Sequence, residues 1–213
     1  MLHTFSIWFL VLSGITVLIL AIDVMKHPQK MAVMNWVWPI TGLYFGPLVL
    51  WSYFSFGRQK DGQRQEQPHW EKVWKGVTHC GAGCTLGDII AEWSVFAAAF
   101  TLVGSRLYTN YIFDFLAAYL LGILFQYFSI APMRKISGWP GIIAAIKADT
   151  ISLTAFEIGL FAFMFWMDHH FHPHLKPTDP AYWFLMQIGM IIGFFTSYPA
   201  NWWLIRKGFK EAM

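Results

Sequence analysis

The sequence predicts an all-α, polytopic membrane protein in which residues 1–213 form a single bundle of about six transmembrane helices. Two observations carry that prediction. Charged residues make up only 13% of the chain and apolar residues 56%, whereas a soluble domain carries roughly 25% charged residues. Apolar runs also recur at lengths near the ~20 residues a helix needs to cross the hydrocarbon core. Aromatic residues reach 19%, with 12 Trp and 20 Phe, as expected where rings sit at headgroup depth and line lipid-facing surfaces. No basic tail or nucleic-acid motif is present, so nucleic acid is excluded as a partner and the lipid bilayer is the expected surroundings.

The predicted spans run over 5–23, 33–56, 84–104, 108–131, 144–167 and 182–205. Phe5–Ile22 lacks a preceding Lys or Arg and a small-residue cleavage site, and so reads as a retained helix rather than a signal peptide. The breaks are chemically sensible: Pro28 and its neighbours, the polar Arg58–Lys75 stretch, Gly104-Ser105-Arg106, Pro132–Pro140, and the His/Pro-rich Asp168–Pro180. Pro39, Pro47 and Pro199 fall inside spans and predict kinks, because proline lacks an amide hydrogen and crowds the preceding turn. With six spans, one side of the membrane holds eleven Lys/Arg and the other only four, Lys26, Lys30, Arg106 and Lys176. That bias predicts cytoplasmic termini. The first span argues the other way, since its positive charge follows it, and an odd number of spans stays open.

The stretch His79-Cys80-Gly-Ala-Gly-Cys84-Thr-Leu-Gly-Asp88-Ile-Ile-Ala-Glu92 carries the chemistry. Steps of four residues rotate only about 40° and rise about 6 Å on an α-helix, so Cys80, Cys84, Asp88 and Glu92 form one stripe about 18 Å long. It is expected to run from soft thiols at the cytoplasmic mouth to hard carboxylates within the membrane. Intramembrane carboxylates cost roughly 2.5–3.5 kcal/mol on insertion scales and normally face a polar interior with a task there. Asp114, Asp149 and Glu157 add to them. Lys147 is the basic residue expected nearest their depth, so their charge would be met by protons, by amides such as Gln126 and Gln187, or by a passing cation.

On the other side His169, His170, His172 and His174 could load or release a metal, and Met186 and Met190, with Met164 and Met167 nearby, offer thioethers suited to Cu(I). The leading expectation is a transition-metal transporter or metal-binding protein. His79, Cys80 and Cys84 would capture the ion, copper or zinc, and Asp88, Glu92, Asp149 and Glu157 would form its path. A cytoplasmic metal carrier and a second copy of the chain are the expected partners. Cu(I) is favoured, but carboxylates are poor Cu(I) ligands, so a proton-coupled divalent-cation transporter is a close variant. Two enzyme readings stand beside these: a thiol/disulfide oxidoreductase cycling Cys80 and Cys84, and an intramembrane metalloenzyme. The plainest reading of each group is tight helix packing by small cysteines and protonated acids hydrogen-bonded between helices.

The motif from His79 to Asp88, the Ala131-Pro132-Met133 break, Lys147-Ala-Asp149-Thr150 and Thr196-Ser-Tyr-Pro199-Ala-Asn201-Trp-Trp together resemble a bacterial membrane-protein family catalogued as a domain of unknown function. The resemblance extends from about residue 34 to the C-terminus. It implies a prokaryotic cytoplasmic membrane and supplies no activity or site residues.

Overall fold

The computed structural model describes residues 1–59, 67–102, 104–171 and 174–211, and they are helical with short connections. The helices are α1 (Leu2–Lys26), α2 (Met34–Phe45), α3 (Leu48–Ser52) continued by a π-helical turn (Tyr53–Gly57), α4 (His69–Ala98), α5 (Arg106–Arg134), α6 (Trp139–His170) and α7 (Pro180–Arg206). Four of these, α1, α5, α6 and α7, are long and apolar enough to cross a membrane. The count of six spans is not confirmed, and two of the predicted segments take a different form.

The predicted second span is a helical hairpin. Gly46 adopts φ +56°, a left-handed conformation open to glycine, and sits against the Phe9 ring and Ser13. Pro47 follows at once, and the chain reverses there. Trp38 on the inward arm packs edge-on against Tyr53 on the return arm, with centroids 5.2 Å apart. The return arm ends where α1 ends: Tyr53 Oη donates to Asp23 Oδ2 at 2.7 Å, and Arg58 clamps both Asp23 oxygens at 2.9 and 3.0 Å. α2 and α3 therefore enter and leave at one end of the bundle. Because Pro47 cannot donate to Leu43, that carbonyl would lack its helical partner. Gln187 of α7 supplies it, donating from Nε2 to the Leu43 carbonyl and to Ser13 Oγ.

α4 begins at His69, well before the predicted residue 84, and runs 30 residues through the centre. It lies antiparallel to α7: His69 meets the Trp202 ring at 4.5 Å, and Trp93 stacks on Trp183 at 5.9 Å. It is too polar to face lipid because protein surrounds it: α2, α5, α6 and α7 all pack against it. Its contact with α5 is backbone to backbone. A Cβ on Gly87 would stand 2.3 Å from the Ala118 nitrogen, and one on Gly83 would stand 3.1 Å from the Gly122 Cα. Small residues four apart thus face each other on both helices, the arrangement that lets transmembrane helices approach closely. Gly159 of α6 meets Gly193 of α7 in the same way, a Cβ there standing 2.9 Å from the Gly193 Cα.

These contacts sort the helix ends. One end gathers the C-terminal ends of α1, α5 and α7, the N-terminal ends of α4 and α6, and the open side of the hairpin. Ser129 of α5 reaches Met31 there, with Oγ 3.1 Å from Sδ. The chain's beginning lies at the other end, where Phe5 packs on Phe184 at 5.2 Å. The first residues of α1 and the last turn of α7 thus lie at opposite ends of the bundle, because the hairpin returns to the end it leaves.

Two stability predictions follow from this packing. Gly87→Ala forces α4 and α5 apart and should lower the thermal midpoint in detergent, at a cost of roughly 1–3 kcal/mol, whereas Gly14→Ala, with open space around it, should raise it. Gln187→Leu strands the Leu43 carbonyl and should cost roughly 1–3 kcal/mol in the same measurement.

Candidate functional site

The four-residue register of α4 sets Cys80, Cys84, Asp88 and Glu92 on one buried stripe, with exposures of 1%, 0%, 0% and 2%. The same register recurs on α5, where Asn110, Asp114, Ala118, Gly122 and Gln126 are all buried. The close α4–α5 contact at Gly83 and Gly87 brings the two stripes together. Asn110 Nδ2 donates to Glu92 Oε2 at 2.7 Å, and Asp114 and Tyr182 also approach Glu92. α6 supplies Glu157, which faces Cys84 and lies within electrostatic reach of Asp88 and Asp114. Asp88, Glu92, Asp114 and Glu157 thereby form one acidic cluster contributed by three helices. Both oxygens of Asp88 and of Glu157 are buried with no hydrogen-bond partner, as is Asp114 Oδ1. Among the described residues no Lys or Arg forms an ion pair with Asp88, Asp114 or Glu157. Carboxylates so placed cannot stay ionised alone, because an unpaired charge in an apolar interior is prohibitively costly.

A cavity of about 270 Å³ leads to this cluster from the end opposite the hairpin's open side. Glu92, Asn110, Asp114 and Tyr182 line its floor, with Met164, Met167 and Met186 along its wall and Arg106, Asp168 and His174 among its rim residues. His174 Nδ1 lies 3.0 Å from Asp168 Oδ1.

On the other side of the thiols lies a second polar group. Ser152 Oγ is 3.3 Å from Cys80 Sγ and 3.3 Å from Asp149 Oδ1. Lys210 reaches in from the C-terminal turn, its Nζ 3.2 Å from Ser152 Oγ and 3.7 Å from Asp149 Oδ1.

The predicted residues are therefore divided. Asp88 and Glu92 join Glu157, but Asp149 stands apart from that cluster with Lys210. Cys80 and Cys84 are free thiols near the middle of α4, not at a mouth, and the opening nearest the acids is at the far end from the basic residues. His79 turns away from the stripe toward α5, its ring 6.0 Å from Phe125. Lys147 is exposed, so the cation at the depth of Asp149 is Lys210 instead. His169 and His170 are exposed and bond back to the carbonyls of Phe165 and Trp166 at 2.9 and 2.8 Å, and among the described histidines of this stretch only His174 lines the cavity. His172 lies outside the described residues, as do Lys60 and Arg64. Met186 lines the cavity, whereas Met190 Sδ lies 3.7 Å from Thr85 Oγ1. Among the described residues no group of three or more His, Cys, Asp or Glu is placed to hold a metal ion. Sequence reasoning passed over Asn110 and Tyr182; the four-residue spacing of Asn110 and Asp114 would have exposed the former.

The profile of one protein family, a domain of unknown function designated DUF4396, matches residues 69–210. The chain belongs to this family. The match covers α4 to α7 and ends at Lys210, narrower than the resemblance from residue 34 implies. No curated protein and no solved structure matches the chain.

The burial of both DUF4396 thiols is open to direct measurement. Cys80 and Cys84 should resist maleimide in the folded protein, and two equivalents should react after denaturation in dodecyl sulfate. Rapid labelling without denaturant would contradict the packing of α4 against α6.

Proposed function

We propose that this DUF4396 chain is a cation permease of the prokaryotic cytoplasmic membrane, coupling proton exchange on buried carboxylates to passage of a metal cation between α4, α5 and α6. The observation that carries this reading is the cluster of Asp88, Glu92, Asp114 and Glu157. Four carboxyl groups from three helices lie close together, both oxygens of Asp88 have no hydrogen-bond partner, and Glu92 and Asp114 line a cavity open to one end. The carboxyl groups are not placed to hold a metal ion together, so in this reading protons occupy them at rest and a cation displaces those protons as it passes from one to the next. Three thioethers share the cavity with the carboxylates, a mixed donor set better suited to Cu(I) or a borderline divalent transition ion than to magnesium or calcium. The cargo would reach Glu92 and Asp114 first, pass Asp88 and Glu157, and continue along Cys84 and Cys80 toward Asp149.

In this reading five helices cross the bilayer and α2–α3 is a re-entrant hairpin, tolerated at membrane depth because Gly46 packs against Phe9 and Ser13 and Gln187 meets the Leu43 carbonyl. Lys26 and Lys30 then join the basic side, and among the described residues only Arg106 and Lys176 remain on the other. That distribution supports an external N-terminus and a cytoplasmic C-terminus, and it agrees with the local charge around α1. The thiol oxidoreductase reading is less well supported, since exposures of 1% and 0% leave a partner thiol no approach to Cys80 or Cys84.

In proteoliposomes, Asp88→Asn and Glu157→Gln should reduce proton-coupled Cu(I), Zn(II) or Mn(II) uptake to that of empty vesicles while the protein remains folded. Uptake at the wild-type rate in both variants would refute the path. Tags at the two termini should react with impermeant reagents from opposite sides of the membrane; reaction from one side would refute the five-crossing topology.

A further inference from the structure

We propose that Lys210 is a tethered counter-ion that closes the basic end of the acid path, and that the C-terminal turn carrying it is the gate. The inference rests on the permease reading and adds its regulation. Lys210 is 2% exposed although it lies beyond the last turn of α7. The backbone is shaped to bring it inward: Gly208 takes φ +73°, and the amides of Phe209 and Lys210 both bond to the Leu204 carbonyl, at 3.0 and 3.3 Å. Its ammonium meets Ser152 Oγ at 3.2 Å and Asp149 Oδ1 at 3.7 Å. Asp149 Oδ2, turned toward Gly122, is buried without a hydrogen-bond partner. Cys80 lies directly behind Ser152, so the lysine stands between the thiol stripe and the basic end of the bundle.

Outside, the turn is held differently. Arg134 Nε meets Glu211 Oε1 at 2.6 Å, and its Nη2 lies 3.4 Å from the Gly208 carbonyl, both at the surface. An exposed ion pair of this kind contributes little, so the latch is easily opened. The inner contact rests on the Asp149 carboxylate, which among the described residues is met, besides Lys210, only by Ser152. A cation arriving at Asp149 supplies the charge that Lys210 supplies at rest, and the ammonium then has no reason to stay out of water. Cargo from the acid cluster would thus release the turn that blocks it.

The test uses the full-length protein, with Cys84 replaced by serine, in proteoliposomes. A membrane-impermeant maleimide is added from the C-terminal side to read Cys80, and metal uptake is measured in parallel. Lys210→Met and Arg134→Glu should each speed Cys80 labelling by at least about tenfold by raising the open population, while Lys210→Arg should keep the wild-type rate. If Lys210→Met fails to fold, judged by its thermal midpoint, Arg134→Glu carries the test, since it leaves the core untouched. Unchanged labelling in the folded variants overturns the gate whatever the flux. Faster labelling with no uptake by any protein keeps the occluding lysine and removes the permease reading instead.

Discussion

The distance between α4 and α5 governs the rest of this bundle. Gly83 and Gly87 press against Ala118 and Gly122 with no side chain between them, and only at that separation can Asn110 and Asp114 meet Glu92. A helix carrying Asp88, Glu92 and two thiols could not be presented to an apolar solvent. It must be wrapped, and α6, α7 and the hairpin wrap it. The glycines of α6 and α7 repeat the device, which leaves Glu157 facing Cys84 and Asp88.

A second constraint runs through the same elements: each polar group removed from water needs a partner from a neighbouring helix. Gln187 of α7 answers the carbonyl that Pro47 leaves open, Ser152 of α6 answers Cys80, and Lys210 answers Asp149. The two oxygens of Asp88 have no such partner, and Glu157 faces Cys84 beside them. These carboxyl groups lie where three helices meet, beside Glu92 and Asp114, which line a cavity.

Much of this was legible beforehand. The Cys80–Glu92 stripe followed from spacing alone, because a helix has one periodicity and the residues obey it. The hairpin was not legible. Residues 33–56 are apolar throughout, and apolar length says nothing about whether a segment crosses or turns back. Gly46 beside Pro47 was the signal, read as a kink because Pro39 and Pro199 do sit inside helices. The charge after α1 was the second signal, outweighed by a count that itself assumed six crossings. Lys210 was hidden for a different reason: a lysine beyond an aromatic belt looks like an interfacial anchor, and only the left-handed turn at Gly208 sends it inward. His79 points off the stripe because one residue's offset from Cys80 rotates it by about 100°.

The hairpin leaves and re-enters at the level of Asp23, where Arg58 ties its end to the end of α1. Its removal would therefore rejoin α1 to α4 at the same end, without inverting any later helix. In topological terms it is a silent insertion. The stretch matched by DUF4396 starts just after it, at His69, so the acidic core and the segment that buttresses it can diverge independently. Lineages could lengthen, shorten or replace the buttress while every carboxylate of the core kept its orientation to the membrane.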